Sequence, residues 1–144
     1  MDETLRLRNQ VCFALHSASR AVTGVYRPIL DELGLTYPQF LVLLALWERD
    51  GRTVSELGAA LRLDSGTLSP LLKRLESAGM VDRRRDTADE RQVTVHLTDD
   101  GEALRERARA VPGQVAAASG LTREELVELR DVLTTLTDNL KGES

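Results

Sequence analysis

The chain has 144 residues, 42% hydrophobic and 29% charged, the composition of a globular protein about one domain in size. No apolar run approaches the ~20 residues of a membrane span, and "MDETLRLRNQ" lacks the layout of a signal peptide. A lone cysteine leaves no internal disulfide framework and no metal site of cysteine type. The expectation is a cytoplasmic, non-enzymatic protein with no metal, cofactor or membrane partner. A net charge of −4 argues against nucleic acid, but residues 62–96 carry seven basic and six acidic side chains, so their net +1 leaves −5 for the rest. That stretch is where a nucleic-acid surface would lie.

Between Leu5 and Leu33, apolar Val11, Leu15, Ala18, Val22, Val25, Ile29 and Leu33 recur at steps of three and four, a helical stripe. Pro28 predicts a bend or break near Tyr26–Pro28. In "LTYPQFLVLLALWE", Thr36 suits a cap, Pro38 a first turn, and the run Phe40–Trp47 burial on most sides. After a turn at "DGR" come two short helical units, 53–63 and 64–80. The first has Val54, Leu57 and Leu61 on one face. The second has Asp64 as cap, Leu68, Leu71, Leu72 and Leu75 inside, an awkward Pro70, and Gly79 as a left-handed exit.

The period then changes. Val81, Arg83 and Arg85, and on the return Val93, Val95 and Leu97, alternate as in a β-hairpin with the polar tip "DTADER". Thr98 caps a further helix that Pro112-Gly113 interrupts, and "LTREELVELRDVLTTLTDNL" closes the chain behind a capping box of Thr122 and Glu125.

Helix–turn–helix followed by a hairpin is a winged helix. The predicted fold is mainly α: one domain over 1–144, with a winged helix-turn-helix at about 37–98. Long terminal helices, about 5–33 and 99–141, keep apolar stripes that a small core cannot cover, so they form a dimerisation region in a homodimer. The second helix of such a unit enters the major groove by its N-terminal residues. Here those are Ser65, Thr67 and Ser69, with Lys73 and Arg74 placed for phosphates. The hairpin adds Arg83, Arg84, Arg85 and, at its tip, Arg91 for a minor groove, with Asp89 positioned to hold Arg91 by a carboxylate fork. The expected partner is palindromic double-stranded operator DNA.

The segment "TVSELGAALRLDSGTLSPLLKRLESAGMVDRRRDTADERQVTVHLTDDG" resembles the core of the MarR family of winged-helix repressors. "CFALHSASRAVTGVYRPILDELGLTYPQFLVLLALWE" is similar to that family's OhrR group of organic-hydroperoxide sensors. The resemblance implies that Cys12 takes the oxidant, with Tyr26 and Tyr37 hydrogen-bonding its sulfur. Where some members carry a third aromatic residue one turn after the cysteine, this chain has His16, which leaves a third hydrogen bond or plain helix surface open for it.

Cys12, His16, Ser19, Thr23 and Tyr26 share one strip beside the apolar stripe. Tyr26 lies 14 residues from Cys12, about 21 Å along a helix at 1.5 Å per residue. The two can meet only if first helices of two subunits run antiparallel, an arrangement that the resemblance implies and the spacing favours. Cys12 is expected well inside its helix, gaining little from the helix N-terminus. The bland reading of a free cysteine is a small core hydrophobe. Lacking a second cysteine, oxidised Cys12 is resolved by a low-molecular-weight thiol, a backbone nitrogen or further oxidation, which places the chain with the one-cysteine type. Two other functions stand beside this one. The first is a MarR-type regulator that releases DNA on binding a small phenolic or apolar ligand. The second is a thiol peroxidase, disfavoured by the missing resolving cysteine.

Overall fold

The computed structural model of the chain describes residues 2–85, 88, 89 and 91–142. It divides after Arg109 into two compact units. The first opens with two 3-10 turns, Glu3–Leu5 and Leu7–Asn9. Side chains hold them. The Asp2 carboxylate accepts from Thr4 N–H, and Gln10 Nε2 donates to the carbonyls of Thr4 (2.7 Å) and Arg6 (2.8 Å). A helix running from Leu5 would need the Arg6 carbonyl for the Gln10 backbone N–H. The side-chain amide takes it, so helix α1 begins only at Val11 (Val11–Asp31).

α1 passes through Pro28 without the predicted break. A helical proline presses its ring on the carbonyl four residues back. Here that carbonyl belongs to Gly24, whose backbone yields most readily. Pro70 repeats the arrangement with Gly66 in the unbroken helix α4 (Ser65–Ser77).

Helix α2 (Tyr37–Glu48) starts as predicted: Thr36 and Gln39 form a capping box and Pro38 sits in the first turn. Phe40, Val42, Leu43, Ala45 and Leu46 are buried, which makes α2 the centre of the first unit. Each fully buried Leu, Val or Phe stabilises by about 1.5–3 kcal/mol. Around α2 pack Leu30 and Leu35, Leu57 of α3 (Val54–Leu61), the four inner leucines of α4, and Val81 and Val95. Thr53 and Asp64 cap α3 and α4 by accepting from the Glu56 and Thr67 backbone N–H groups.

The hairpin pairs β2 (Val81–Arg85) with β3 (Val93–Leu97) antiparallel, Val81 opposite Leu97 and Arg85 opposite Val93. A third strand, β1 (Arg52–Thr53), joins the far side of β3, giving the order β1-β3-β2. Two residues are too few to show alternation, so the sequence offered no sign of it. Of the predicted polar tip, residues 86, 87 and 90 lie outside the described residues.

Helix α5 (Asp99–Ala108) begins at Thr98, where three elements are clamped together. The Thr98 hydroxyl donates to the Gly79 carbonyl (2.6 Å) just past α4 and accepts from Gly101 N–H (3.1 Å). Trp47 Nε1 donates to the Gly101 carbonyl (3.0 Å).

In the second unit the helical break falls at Arg109–Ala110, not at Pro112-Gly113. Pro112 instead occupies the first turn of α6 (Val111–Ser119), where its missing N–H costs nothing. Helix α7 (Arg123–Leu140) carries the predicted Thr122–Glu125 capping box and buries none of its described residues. Val132 is 64% exposed and Leu129 45%.

The clamp at Thr98 has no room for a methyl group: a Cβ on Gly101 would stand 2.2 Å from the Met80 carbonyl oxygen. Gly101→Ala is therefore expected to destabilise by about 3 kcal/mol, the upper end of overpacking costs. Gly113→Ala, whose Cβ meets nothing within 4 Å, should be neutral or stabilise by up to ~1 kcal/mol. Urea denaturation of the two variants measures both.

Candidate nucleic-acid interface and redox site

Because Leu68, Leu71, Leu72 and Leu75 of α4 face the core, helical periodicity turns the intervening residues outward. Ser65, Thr67, Ser69, Lys73 and Arg74 are all exposed on that outer face. At its N-terminus, hydrogen bonding to Thr67 N–H holds the Asp64 carboxyl below the usual carboxylate range.

The hairpin arginines divide by what they touch. Arg83 is committed to α4: its guanidinium reaches Glu76 Oε1 (3.3 Å), and its backbone N–H donates to Oε2 of the same carboxylate (3.3 Å). It ties the hairpin to α4. Arg84 is exposed, with its carbonyl accepting from the Thr94 hydroxyl (3.2 Å), and Arg85 is exposed beside it. The Arg91 side chain is 94% exposed. Asp89 does hold Arg91, but not by a fork: one oxygen, Oδ1, accepts from the backbone N–H at 3.0 Å and lies 3.5 Å from Nε. Ser55, Ser69, Arg83, Arg91 and Gln92 line a hollow of about 340 Å³ between the start of α3, α4 and the hairpin. Ser55 and Gln92, which also line this hollow, were not picked out from the sequence because they carry no charge.

Cys12 is exposed and, because α1 starts late, it stands in the first turn of the helix. That corrects the expectation of a position well inside. First-turn N–H groups have no partner within the helix, and negative charge is stabilised there. His16 follows on the same face one turn on, also exposed. Farther along, Thr23 donates its hydroxyl back to the Ser19 carbonyl (2.8 Å).

At the other end of α1 the structure brings the two tyrosines together. The rings of Tyr26 and Tyr37 lie 4.8 Å apart between centroids, and Phe40 lies 6.1 Å from Tyr26. Burial, and secondarily the neighbouring Tyr37, push the Tyr26 phenol above its ordinary value of 10.0, so its O–H stays a donor at neutral pH. The pair opens on a pocket of about 250 Å³ that Arg27 and Asp31 also line. Within one chain, then, phenols and sulfur sit at opposite ends of one helix. No group of three or more metal-ligating side chains occurs among the described residues, and no helix of the described residues is long and apolar enough to cross a membrane.

Comparison with known proteins gives a consistent set of likenesses. Residues 24–107 match the family described as transcriptional regulator SarA/Rot. The organic hydroperoxide resistance transcriptional regulator of Bacillus subtilis (strain 168) is 46% identical over 136 residues, 94% of this chain and 92% of that one. The HTH-type transcriptional regulator TtmR of Methylorubrum extorquens (strain PA1) is 48% identical, over 96% of this chain and 71% of its own. Among solved structures, reduced AbfR bound to DNA superposes with a TM-score of 0.80 at 40% identity, covering 98% of this chain and 96% of that one.

The Glu76–Arg83 contact yields a pH test. Hydrogen bonding from Arg83 lowers the Glu76 pKa from its ordinary 4.5. A carboxylate with a lowered folded-state pKa contributes stability in full above its unfolded value, and loses it as pH falls through the folded value. Glu76→Gln should thus be less stable than the parent at pH 7. The gap in urea midpoint should begin to narrow as pH falls below the ordinary carboxylate value and close only once Glu76 is protonated in the folded protein, when position 76 is uncharged in both proteins. A gap unchanged at about pH 2.5 would mean that the ion pair does not hold the hairpin.

Proposed function

The chain belongs to the SarA/Rot family of transcriptional regulators, winged-helix proteins of the MarR type, and on that premise we propose that it is a dimeric DNA-binding repressor that senses organic hydroperoxide through Cys12. Reduced, the dimer holds a palindromic operator. Oxidised at Cys12, it lets go. The observation that carries this reading is the placement of the exposed Cys12 sulfur at one end of a 21-residue helix and the paired phenols at the other. Two antiparallel copies of α1 bring each sulfur to the other chain's Tyr26 and Tyr37, which donate to the thiolate.

Exposure supports the dimer. Val11 is 69% exposed and Val22 45%, so much of the stripe on α1 finds no cover within its own chain, and Val127, Leu129 and Val132 of α7 are exposed as well. Across such a dimer the two recognition helices enter major grooves about one helical turn, ~34–36 Å, apart. Ser65, Thr67 and Ser69 meet base edges, Lys73 and Arg74 meet phosphates, and Arg84, Arg85 and Arg91 serve the flanking backbone and minor groove. Arg83 takes the positioning role, holding the hairpin to α4 through Glu76.

The chemistry takes two steps. The Cys12 thiolate attacks the terminal oxygen of the hydroperoxide, the O–O bond breaks, and the alkoxide leaves as alcohol after taking a proton from water. Cys12 becomes a sulfenic acid. A low-molecular-weight thiol then condenses with it, forming a mixed disulfide and releasing water. Either product alters the acceptor that the tyrosines face, and the change in spacing of the recognition helices follows. The pocket beside Tyr26 favours a second reading, release by a small phenolic ligand bound there without redox chemistry. A Cys12→Ser protein that still releases operator with an inducer would decide for that reading.

Two sets of outcomes test the proposal. Arg91→Ala should weaken operator binding by about 1–3 kcal/mol, while Lys73→Ala weakens all sequences alike and flattens the salt dependence. Gel shifts across a salt series separate them. Cys12→Ser should bind operator like the parent and ignore organic hydroperoxide, because a hydroxyl cannot enter the oxidation ladder. A mixed dimer then checks the geometry. When a Cys12→Ser chain is paired with a Tyr26→Phe chain, the remaining cysteine meets the intact Tyr26 only across the interface, and it should oxidise at the parental rate. Oxidation at the slow rate of the Tyr26→Phe homodimer would overturn the cross-subunit site.

A further inference from the structure

We infer that the aromatic run from Tyr37 to Trp47 carries the redox signal to the recognition helix, with Trp47 as the positioning residue that hands it on. The inference rests on the sensor reading above and specifies how the two ends of that sensor communicate.

The chain is poor in aromatic side chains, with one Trp, two Tyr and two Phe. Four of these five form one continuous line. Tyr37 contacts Tyr26 at 4.8 Å between centroids, Tyr26 contacts Phe40 at 6.1 Å, and Phe40 contacts Trp47 edge-on at 6.3 Å. Three of the four lie on α2, so the line follows a helix whose centre is buried on most sides.

The line ends behind α4, at the root of the hairpin. Trp47 Nε1 donates to the Gly101 carbonyl across a sequence gap of 54 residues. The Gly101 N–H is held by the Thr98 hydroxyl, and that hydroxyl donates to the Gly79 carbonyl directly behind α4. Thr98 follows β3 immediately, so the same clamp holds the exit of the hairpin. Nor is there slack at this point, because Gly101 meets the Met80 carbonyl too closely for even a Cβ. A shift of the indole is therefore passed to the hairpin root and the end of the recognition helix together. Close-packed interiors have few soft degrees of freedom to absorb it. Leu43 and Leu46, fully buried on the same helix, supply stability without a polar link to α5. The indole N–H supplies the link.

Trp47→Phe keeps a ring in place and removes the donor. A 3-benzothienylalanine at position 47 keeps the bicyclic shape too and replaces the N–H by sulfur, so it tests the same bond where the phenylalanine variant folds poorly. Three quantities are read on full-length dimer: operator affinity reduced, operator affinity after stoichiometric cumene hydroperoxide, and Cys12 oxidation by mass spectrometry. Parent protein should lose affinity on oxidation by a factor within the 5–150-fold range of ordinary two-site coupling. Both position-47 proteins should bind operator when reduced and oxidise Cys12 at the parental rate. They should then lose affinity no more than about threefold on oxidation, an uncoupling of the two sites. Release as complete as in the parent overturns the inference while leaving the sensor reading intact. A parent that oxidises at Cys12 without releasing DNA removes the sensor reading and this inference with it. Because Trp47 is the sole tryptophan, its fluorescence gives an independent check: emission should change at the rate of operator release. An emission unmoved by oxidation in parent protein counts against the indole as carrier.

Discussion

A helix does not bend back on itself, and most of the proposed mechanism follows from that. Cys12 and Tyr26 are fixed at opposite ends of α1, with 14 residues and about 21 Å between them. No rotamer change brings the phenol to the sulfur. Chemistry that needs both therefore needs two chains, and the apolar stripe left open on α1 and the exposed apolar residues of α7 are what a second chain would cover. Dimerisation, in this view, builds the DNA-reading pair and completes the reactive site in the same act.

The first unit ties its outer helix and its hairpin to one core. Leucine and valine fill most of its core, while the few aromatic rings are concentrated along one line beside α2. The recognition helix is pinned at three points: by Asp64 at its start, by the Glu76–Arg83 contact to the hairpin, and by Thr98 behind Gly79. Helix and hairpin are thereby joined, so the surfaces that would read the major and minor grooves cannot drift independently.

Much of this could be read from the sequence, for identifiable reasons. Caps announce themselves because a side chain must satisfy free N–H groups, so Thr36, Asp64, Thr98 and Thr122 were placed correctly. The hairpin was legible because its period changes from that of a helix. The late start of α1 was not, because it turns on the Gln10 amide taking carbonyls six and four residues back, a contact that apolar spacing cannot reveal. That small displacement moved Cys12 from mid-helix to first turn, the largest revision of the candidate site. Pro28 misled for a related reason: the rule that proline breaks helices ignores what stands four residues before it, and here that is Gly24. The commitment of Arg83 to Glu76 was hidden because the two residues are seven apart and on different elements. The ring contact between Tyr26 and Tyr37 was not anticipated, since the family resemblance gave them only as partners of the sulfur.

The single cysteine has a consequence for how time enters the response. A sensor with a resolving thiol of its own closes a disulfide at a rate set by its fold. This chain has no such partner, so once Cys12 is oxidised its fate belongs to whatever thiols surround it. On the proposed chemistry, the fraction of oxidised protein would behave like a dosimeter, accumulating exposure and cleared at a pace that the surrounding thiols, not the protein, set. Two cells holding the same regulator but different thiol pools would then remember the same insult for different lengths of time.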